Sequence, residues 1–288
     1  MILRDRGLFL VGLLVQCQSV SGLSIIGPRI AVPTKVSYSE VFIGNASSNV
    51  DTEGKSVGER IKYGESVLEL RHLASREECD WLTNACLQAA EEEEEEEANP
   101  TRCQKKLDNK PGLIRLPTVA AAERATTTQT PCVAPLPSDI DRVLQTILRR
   151  AAEYVDQELP SVTSVLFRTD SITDLLTTNR LQFSSREPAI NVYTQGGEFL
   201  AHKDGQALTV LLPLSCPEED FTGGGTAFWH QDARGHRVEG PSLVCKPPGG
   251  TAMLFGGCVT HAGISVESGS RVVFVASFSP KSRVIETK

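Results

Sequence analysis

Five histidines occur in the 288 residues: His72, His202, His230, His236 and His261. Two of them stand where they could hold a metal. His202-Lys203-Asp204 sets an imidazole and a carboxylate two residues apart. In extended backbone such residues point to the same face. His261 lies 57 residues after Asp204, in Thr260-His261-Ala262-Gly263, just past an apolar run. Two imidazoles and one carboxylate suit a divalent iron and leave three coordination positions open. Zinc accepts the same donors, but it would give the flanking residues no role. Those flanks are Arg271, ten residues after His261, and Tyr193, nine residues before His202. A guanidinium grips a carboxylate through two parallel hydrogen bonds, and a phenol can share that carboxylate. Gly223-Gly224-Gly225 lets the backbone pass close to another chain or a ligand. Each feature alone has an ordinary reading: the His-x-Asp spacing is common, Asp204-Gly205 is a turn signal, and a tyrosine in a strand usually packs. His230 and His236 fall in a polar stretch, Trp229–Gly240, that reads as a solvated connection. It is the order and spacing of the set that points to one site.

With these residues in view, Ile190 to Pro280 resembles the catalytic core of the 2-oxoglutarate- and Fe(II)-dependent dioxygenases, of the prolyl 4-hydroxylase and lysyl hydroxylase type. The resembling stretches are INVYTQGGEFLAHKDGQALTVLLPLS, DFTGGGTAFW, PPGGTAMLF and THAGISVESGSRVVFVASF. The helix opening LRHLASREECDWLTNAC, Leu70 to Cys86, resembles the start of that catalytic domain, so the likeness spans about 66–282. The resemblance implies a mostly β fold with supporting helices: a double-stranded β-helix, or cupin-like jelly-roll, of two facing sheets. It implies that His202, Asp204 and His261 bind Fe(II). It implies that 2-oxoglutarate chelates the metal and sets its far carboxylate on Arg271, with Tyr193 and Thr209 assisting. O2 is then the oxidant, L-ascorbate the reductant, and succinate and CO2 the products of hydroxylating a prolyl or lysyl side chain in a peptide or protein substrate. One departure is Arg271 itself, since prolyl 4-hydroxylases usually carry lysine there. Two other readings stay open: the same cofactors acting on a small molecule, and a jelly-roll binding module without turnover.

The elements that must position this set can be read from periodicity. Ser75 and Glu78 form a capping box ahead of Cys79, Trp81, Leu82, Cys86 and Leu87, which predicts an amphipathic helix running into the glutamates Glu91 to Glu97. That run is read as a frayed helix end or a loop. A second helix is expected from Ser138 to Glu158, with Leu144, Ile147, Leu148, Ala151, Tyr154 and Val155 on one face and Pro160 closing it. From about residue 163, short β-rich runs follow: Ser164–Arg168, Ala189–Tyr193, Ala207–Leu214, Thr226–Trp229, Ser242–Lys246, Thr251–Phe255 and Arg271–Phe278. Runs of this kind argue for a sandwich or barrel. Ala262 to Ser270 reads as a glycine-containing loop between two strands. The expected organisation is a signal peptide at 1–21, a leader or linker at 22–65, a helical support region at 66–160 and the β-helix core at 161–288. The support region carries an acidic and Pro/Thr-rich insert at 89–137.

Composition sets the outer limits. Hydrophobic residues make up 40% and charged residues 23%, which excludes a fully disordered chain and a multi-span membrane protein. The net charge of −7 is matched by the seven glutamates of one run, so the remainder is neutral. With no basic field, nucleic acid is not an expected partner. Arg4 and Arg6 precede an apolar stretch, Gly7 to Val15, and Ser19 and Ser21 then offer a cleavage site. This reads as a secretory signal, with the protein in the endoplasmic reticulum lumen or secreted. An uncleaved anchor is the alternative, although the stretch is diluted by glutamines and serines. Asn45-Ala46-Ser47 is a glycosylation acceptor sequence, and cleavage would leave seven of the eight cysteines, an odd number.

Overall fold

A computed structural model describes residues 35–43, 54–97, 112–119, 121–122, 136–230 and 237–281. The expected signal peptide, Asn45 and His236 lie outside the described residues. The strands in chain order are β1 (Ser37–Phe42), β2 (Ser66–Arg71), β3 (Leu113–Pro117), β4 (Leu181–Phe183), β5 (Ala189–Tyr193), β6 (Phe199–His202) and β7 (Leu208–Pro213). Then come β8 (Phe221–Gly223), β9 (Thr226–Trp229), β10 (Leu243–Cys245), β11 (Ala252–Phe255), β12 (Thr260–Gly263), β13 (Val266–Gly269) and β14 (Arg271–Pro280). The helices are α1 (Val57–Tyr63), α2 (Arg76–Glu97), α3 (Ser138–Glu158) and α4 (Ile172–Thr177).

Eight strands form the larger sheet, in the order β1-β2-β11-β7-β14-β5-β3, with β4 also paired to β14. The smaller sheet has the order β10-β9-β12-β6, and β13 pairs with β8. All of these ladders are antiparallel. The result is the jelly-roll expected from sequence: two facing sheets with helices on the outer face of the larger one.

The inner strands of the larger sheet are buried on both faces, and alternation divides their side chains between them. Ile190, Val192, Val210, Leu212, Phe274 and Ala276 face the helices, where they meet Leu82 and Cys86 of α2 and Leu144 and Ile147 of α3. Tyr193, Leu211, Met253 and Val273 face the smaller sheet and meet Phe228, Val259 and Val266. A strand covered on both sides reads as a nearly continuous apolar run. A polar residue in such a run has therefore been placed in the inter-sheet space at a cost, and those residues build the site.

Helix α3 has the bounds expected from its periodicity, and its apolar face is buried through Val155. Helix α2 opens on the expected box: the Glu78 amide donates to Ser75 Oγ at 3.2 Å, and the Ser75 amide donates to Glu78 Oε2 at 2.9 Å. Glu78 also receives two 2.8 Å bonds from the Arg150 guanidinium of α3, which pins the two helices together. The backbone of α2 stays helical through Glu97, rather than fraying before the glutamates.

Three expectations need correction. Ser164–Arg168 is not a strand. Residues Thr163–Phe167 form a π-helical turn after a single turn at Pro160–Val162, closed by Arg168 in the left-handed region. The short run Ser-Val-Leu-Phe fits one helical turn as well as a strand. Secondly, the segment read as a leader or linker with room for a short strand does hold one, β1, at the edge of the larger sheet, but it also holds α1, which carries its own capping box between Ser56 and Glu59. The Pro/Thr-rich insert likewise contributes β3, paired with β5. Thirdly, the loop expected at Ala262–Ser270 contains β13.

Candidate active site

His202 ends β6, and His261 lies directly opposite it on β12. Asp204 follows in the turn after β6. One ligand atom from each of the three lies within 4.8 Å of the others. His202 Nε2 is 3.2 Å from Asp204 Oδ1, and His261 Nε2 is 3.7 Å from Asp204 Oδ2. The other ring nitrogens face backbone carbonyls: His202 Nδ1 is 2.9 Å from the Leu200 carbonyl, and His261 Nδ1 is 3.2 Å from that of Val259. A proton held on Nδ1 by a carbonyl leaves the Nε2 lone pair to converge with the carboxylate. Phe255 packs on the His261 ring at 4.7 Å and Phe199 on that of His202 at 4.6 Å, so both imidazoles are held in place.

The electrostatics suit a cation at this point. Burial pushes the His261 imidazole down to about 4; Asp204 opposes this and His202 adds to it, so the ring is neutral. Burial would raise the Asp204 carboxyl, but the His202 hydrogen bond, the neighbouring His261 ring and the Thr209 hydroxyl outweigh it and hold the group below its ordinary range. Burial would lower the His202 imidazole, but its bond to Asp204 outweighs burial and raises the group, so a metal held there would displace a proton from it. Two imidazole nitrogens and one carboxylate on a single side are the donor set for a divalent transition metal with positions left over.

Arg271 opens β14, opposite Tyr193 of β5. It is only 3% exposed. Its guanidinium carbon sits 5.3 Å from the centre of the Tyr193 ring, and its Nη2 donates to Thr226 Oγ1 at 2.9 Å. Among the described residues no carboxylate forms an ion pair with it. Burial lowers its pKa, and burial raises that of Tyr193. The triple glycine explains how this arginine fits. Gly223, Gly224 and Gly225 all take positive φ, and a Cβ on Gly224 would lie 2.8 Å from the Phe221 ring and 3.2 Å from Arg271 Cδ.

One cleft joins these groups. It holds about 430 Å³ of space continuous with solvent and is lined by the triad, by Arg271 and Tyr193, and by Thr226, Asn191, Arg115 and Glu187 among others. Of the residues expected at the site, His202, Asp204, His261, Tyr193 and Arg271 line this cleft, whereas Thr209 does not. Its hydroxyl donates to Asp204 Oδ2 at 2.5 Å, and the threonine that accepts from the guanidinium is Thr226. Asn191 carries a signal that reading for known spacings passes over: it stands two residues before Tyr193 on a strand, hence on the same face. Arg115 lies in the insert, where nothing local marks it.

No family model matches the chain, and no curated protein matches it. Solved structures do resemble it. The viral collagen prolyl hydroxylase of Paramecium Bursaria Chlorella virus-1, in its 2OG complex, is 16% identical with a TM-score of 0.44, covering 79% of this chain and 100% of that one. The prolyl-4-hydroxylase of Pseudomonas putida is 15% identical with a TM-score of 0.41, covering 78% and 96%. A 2OG-Fe(II) oxygenase family oxidoreductase of Burkholderia pseudomallei is 18% identical with a TM-score of 0.32, covering 51% and 58%. Likeness at this level leaves the chemistry to be read from the side chains of this chain.

Proposed function

We propose that the protein is an Fe(II)- and 2-oxoglutarate-dependent dioxygenase that hydroxylates a prolyl or lysyl residue of a peptide or protein, releasing succinate and CO2. The observation that carries this reading is Arg271. A buried guanidinium with no carboxylate partner among the described residues is costly, and it shares a cleft with a two-histidine, one-aspartate cluster. A ligand with a chelating end and an anionic end would satisfy both. A metal-binding module with no anionic co-substrate would leave Arg271 unexplained.

In this reading His202, Asp204 and His261 hold the iron. Arg271, with Tyr193 and Thr226, holds the far carboxylate of the keto acid. When bound, iron and 2-oxoglutarate would supply the chemistry by which one O2 is consumed, one oxygen atom going to succinate as CO2 is lost and the other to the hydroxylated side chain. The chain's own work is positional. The Val259 and Leu200 carbonyls set the imidazole tautomers, Thr209 orients Asp204, and the sheets limit water around the reacting centre. The leader composition at 1–21 supports placement in the secretory pathway. There a peptidyl substrate and L-ascorbate as reductant are the natural companions.

The test is an anaerobic titration of the protein with Fe(II) and 2-oxoglutarate, read by the visible metal-to-ligand charge-transfer band. A saturating band, lost in His202→Ala, is expected. A folded protein that develops no band would sink the proposal.

A further inference from the structure

Among the described residues the Tyr193 hydroxyl has one hydrogen-bond partner, and in that bond it accepts: Asn191 Nδ2 donates to Tyr193 Oη at 3.2 Å. The phenol's own proton has no acceptor among them. Burial raises the Tyr193 pKa, so that proton stays on the oxygen. The hydroxyl reaches across the inter-sheet space to β12, where a Cβ on Gly263, two residues after His261, would lie 3.5 Å from it. A buried donor left unspent is costly. Tyr193 lines the same cleft as Arg271 and faces it across the β5–β14 ladder. A neutral donor and a cation, neither with an anion among the described residues, thus stand side by side.

Asn191 decides which way the phenol can act. It is 6% exposed and stands between Val273 of β14 and Arg115 of β3. The Thr194 amide donates to the Gly112 carbonyl at 2.8 Å and the Thr118 amide to that of Pro188 at 3.0 Å. Alternation from either bond makes Arg115 and Asn191 a non-hydrogen-bonded pair, the kind whose side chains lie closest. The Asn191 amide spends its nitrogen on Tyr193 and keeps Oδ1 buried without a partner. Turned over, the amide would accept the phenol's proton and leave an NH2 as its free end, beside the N–H groups of a guanidinium. Arg115 therefore favours the orientation in which the amide donates. A hydroxyl that accepts one hydrogen bond also donates a stronger one.

We propose that Asn191 is a positioning residue for the keto acid: by donating to Tyr193 Oη it fixes the phenol as a hydrogen-bond donor to the far carboxylate that Arg271 holds. This role rests on the iron and keto-acid reading.

A double-variant cycle tests it. The Fe(II)-loaded protein is titrated anaerobically with 2-oxoglutarate, and saturation of the charge-transfer band gives the Kd for the native protein, Asn191→Leu, Tyr193→Phe and the two changes together. Tyr193→Phe is expected to raise the Kd about tenfold and Asn191→Leu about fivefold. The double variant should stay at about tenfold, because the amide then has no phenol to act on; independent roles would give about fiftyfold. A structural role for Asn191 is separated by 2-oxobutanoate, which has the chelating end but no far carboxylate. Its Kd should be the same in all four proteins. Asn191→Val, at home in a strand, takes the place of the leucine if the larger side chain prevents folding. Losses that multiply in the double variant overturn the role of Asn191. So does a 2-oxoglutarate affinity that the Asn191 change leaves unaltered, or an equal loss for 2-oxobutanoate. A native protein that develops no band with either acid would instead sink the underlying reading.

Discussion

At the scale of single residues, two threonines separate the two halves of the proposed site. Thr209 bonds to Asp204, a member of the metal cluster, whereas Thr226 bonds to Arg271. Their removal should therefore give different phenotypes. Thr209→Val is expected to weaken Fe(II) binding about tenfold, the usual cost of losing a partner that orients a ligand. The 2-oxoglutarate concentration needed to saturate the charge-transfer band should not change. Thr226→Val should leave Fe(II) affinity intact and raise that concentration about tenfold, since a hydrogen bond to a charged group contributes about 1.5–3 kcal/mol. Equal effects of the two changes on both ligands would mean that the cleft is not divided in this way. Thr209 also shows the limit of reading roles from spacing. A hydroxyl on an inward-facing strand position was legible; which of two neighbouring polar groups it would serve depends on the register of β7 against β14 and on the turn that carries Asp204.

At the scale of elements, the strongest tie between the helical layer and its capping box is Glu78. It is 1% exposed and is met by Ser75 and by both terminal nitrogens of Arg150. Arg150→Leu should destabilise the protein by about 3–5 kcal/mol in urea unfolding, because the carboxylate stays buried without its cation. Adding Glu78→Gln should recover part of that loss. Asp156 of α3 plays a similar role for α4. It accepts the amides of Ile172 and Thr173 and the hydroxyls of Ser171 and Thr163. Burial would raise its pKa, but these bonds outweigh burial and lower it. The carboxylate's contribution is thus present above the ordinary aspartate value and lost as pH falls through the lower folded value. The stability gap between the native protein and Asp156→Ala should hold near about pH 6 and shrink towards about pH 3; a gap that does not change with pH would contradict the role. Helix α3 could be read to its last residue because one face repeats over five turns and caps compete weakly with it. The π-helical turn could not, since five residues are too few to carry a period. Helix α1, strand β3 and the bounds of strand β1 were hidden for a different reason. Each is short, and each gains its burial from partners distant in sequence, such as β2 for β1 and β5 for β3.

For the whole molecule, the sheet order brings together groups from three distant parts of the chain: Arg115, the run from Asn191 to Asp204, and His261 with Arg271. A site assembled in this way couples ligand binding to global stability, because the unfolded chain cannot reproduce it. Mn(II), which fits the same donors without supporting oxidation, and 2-oxoglutarate should each raise the Tm. At about one hundred times its Kd, a ligand contributes about 2.7 kcal/mol. For a protein of this size that corresponds to an increase of about 5–10 °C. The two increments report different halves of the cleft. Asp204→Ala should abolish the Mn(II) increment, and with it most of the 2-oxoglutarate increment, since the chelating end then lacks its metal. Arg271→Ala should keep the Mn(II) increment and lose that of 2-oxoglutarate. If the 2-oxoglutarate increment survives in Arg271→Ala, the buried guanidinium is not the anion clamp. If it survives in Asp204→Ala while Arg271→Ala removes it, the keto acid binds through its far end alone and the metal makes no contact with it.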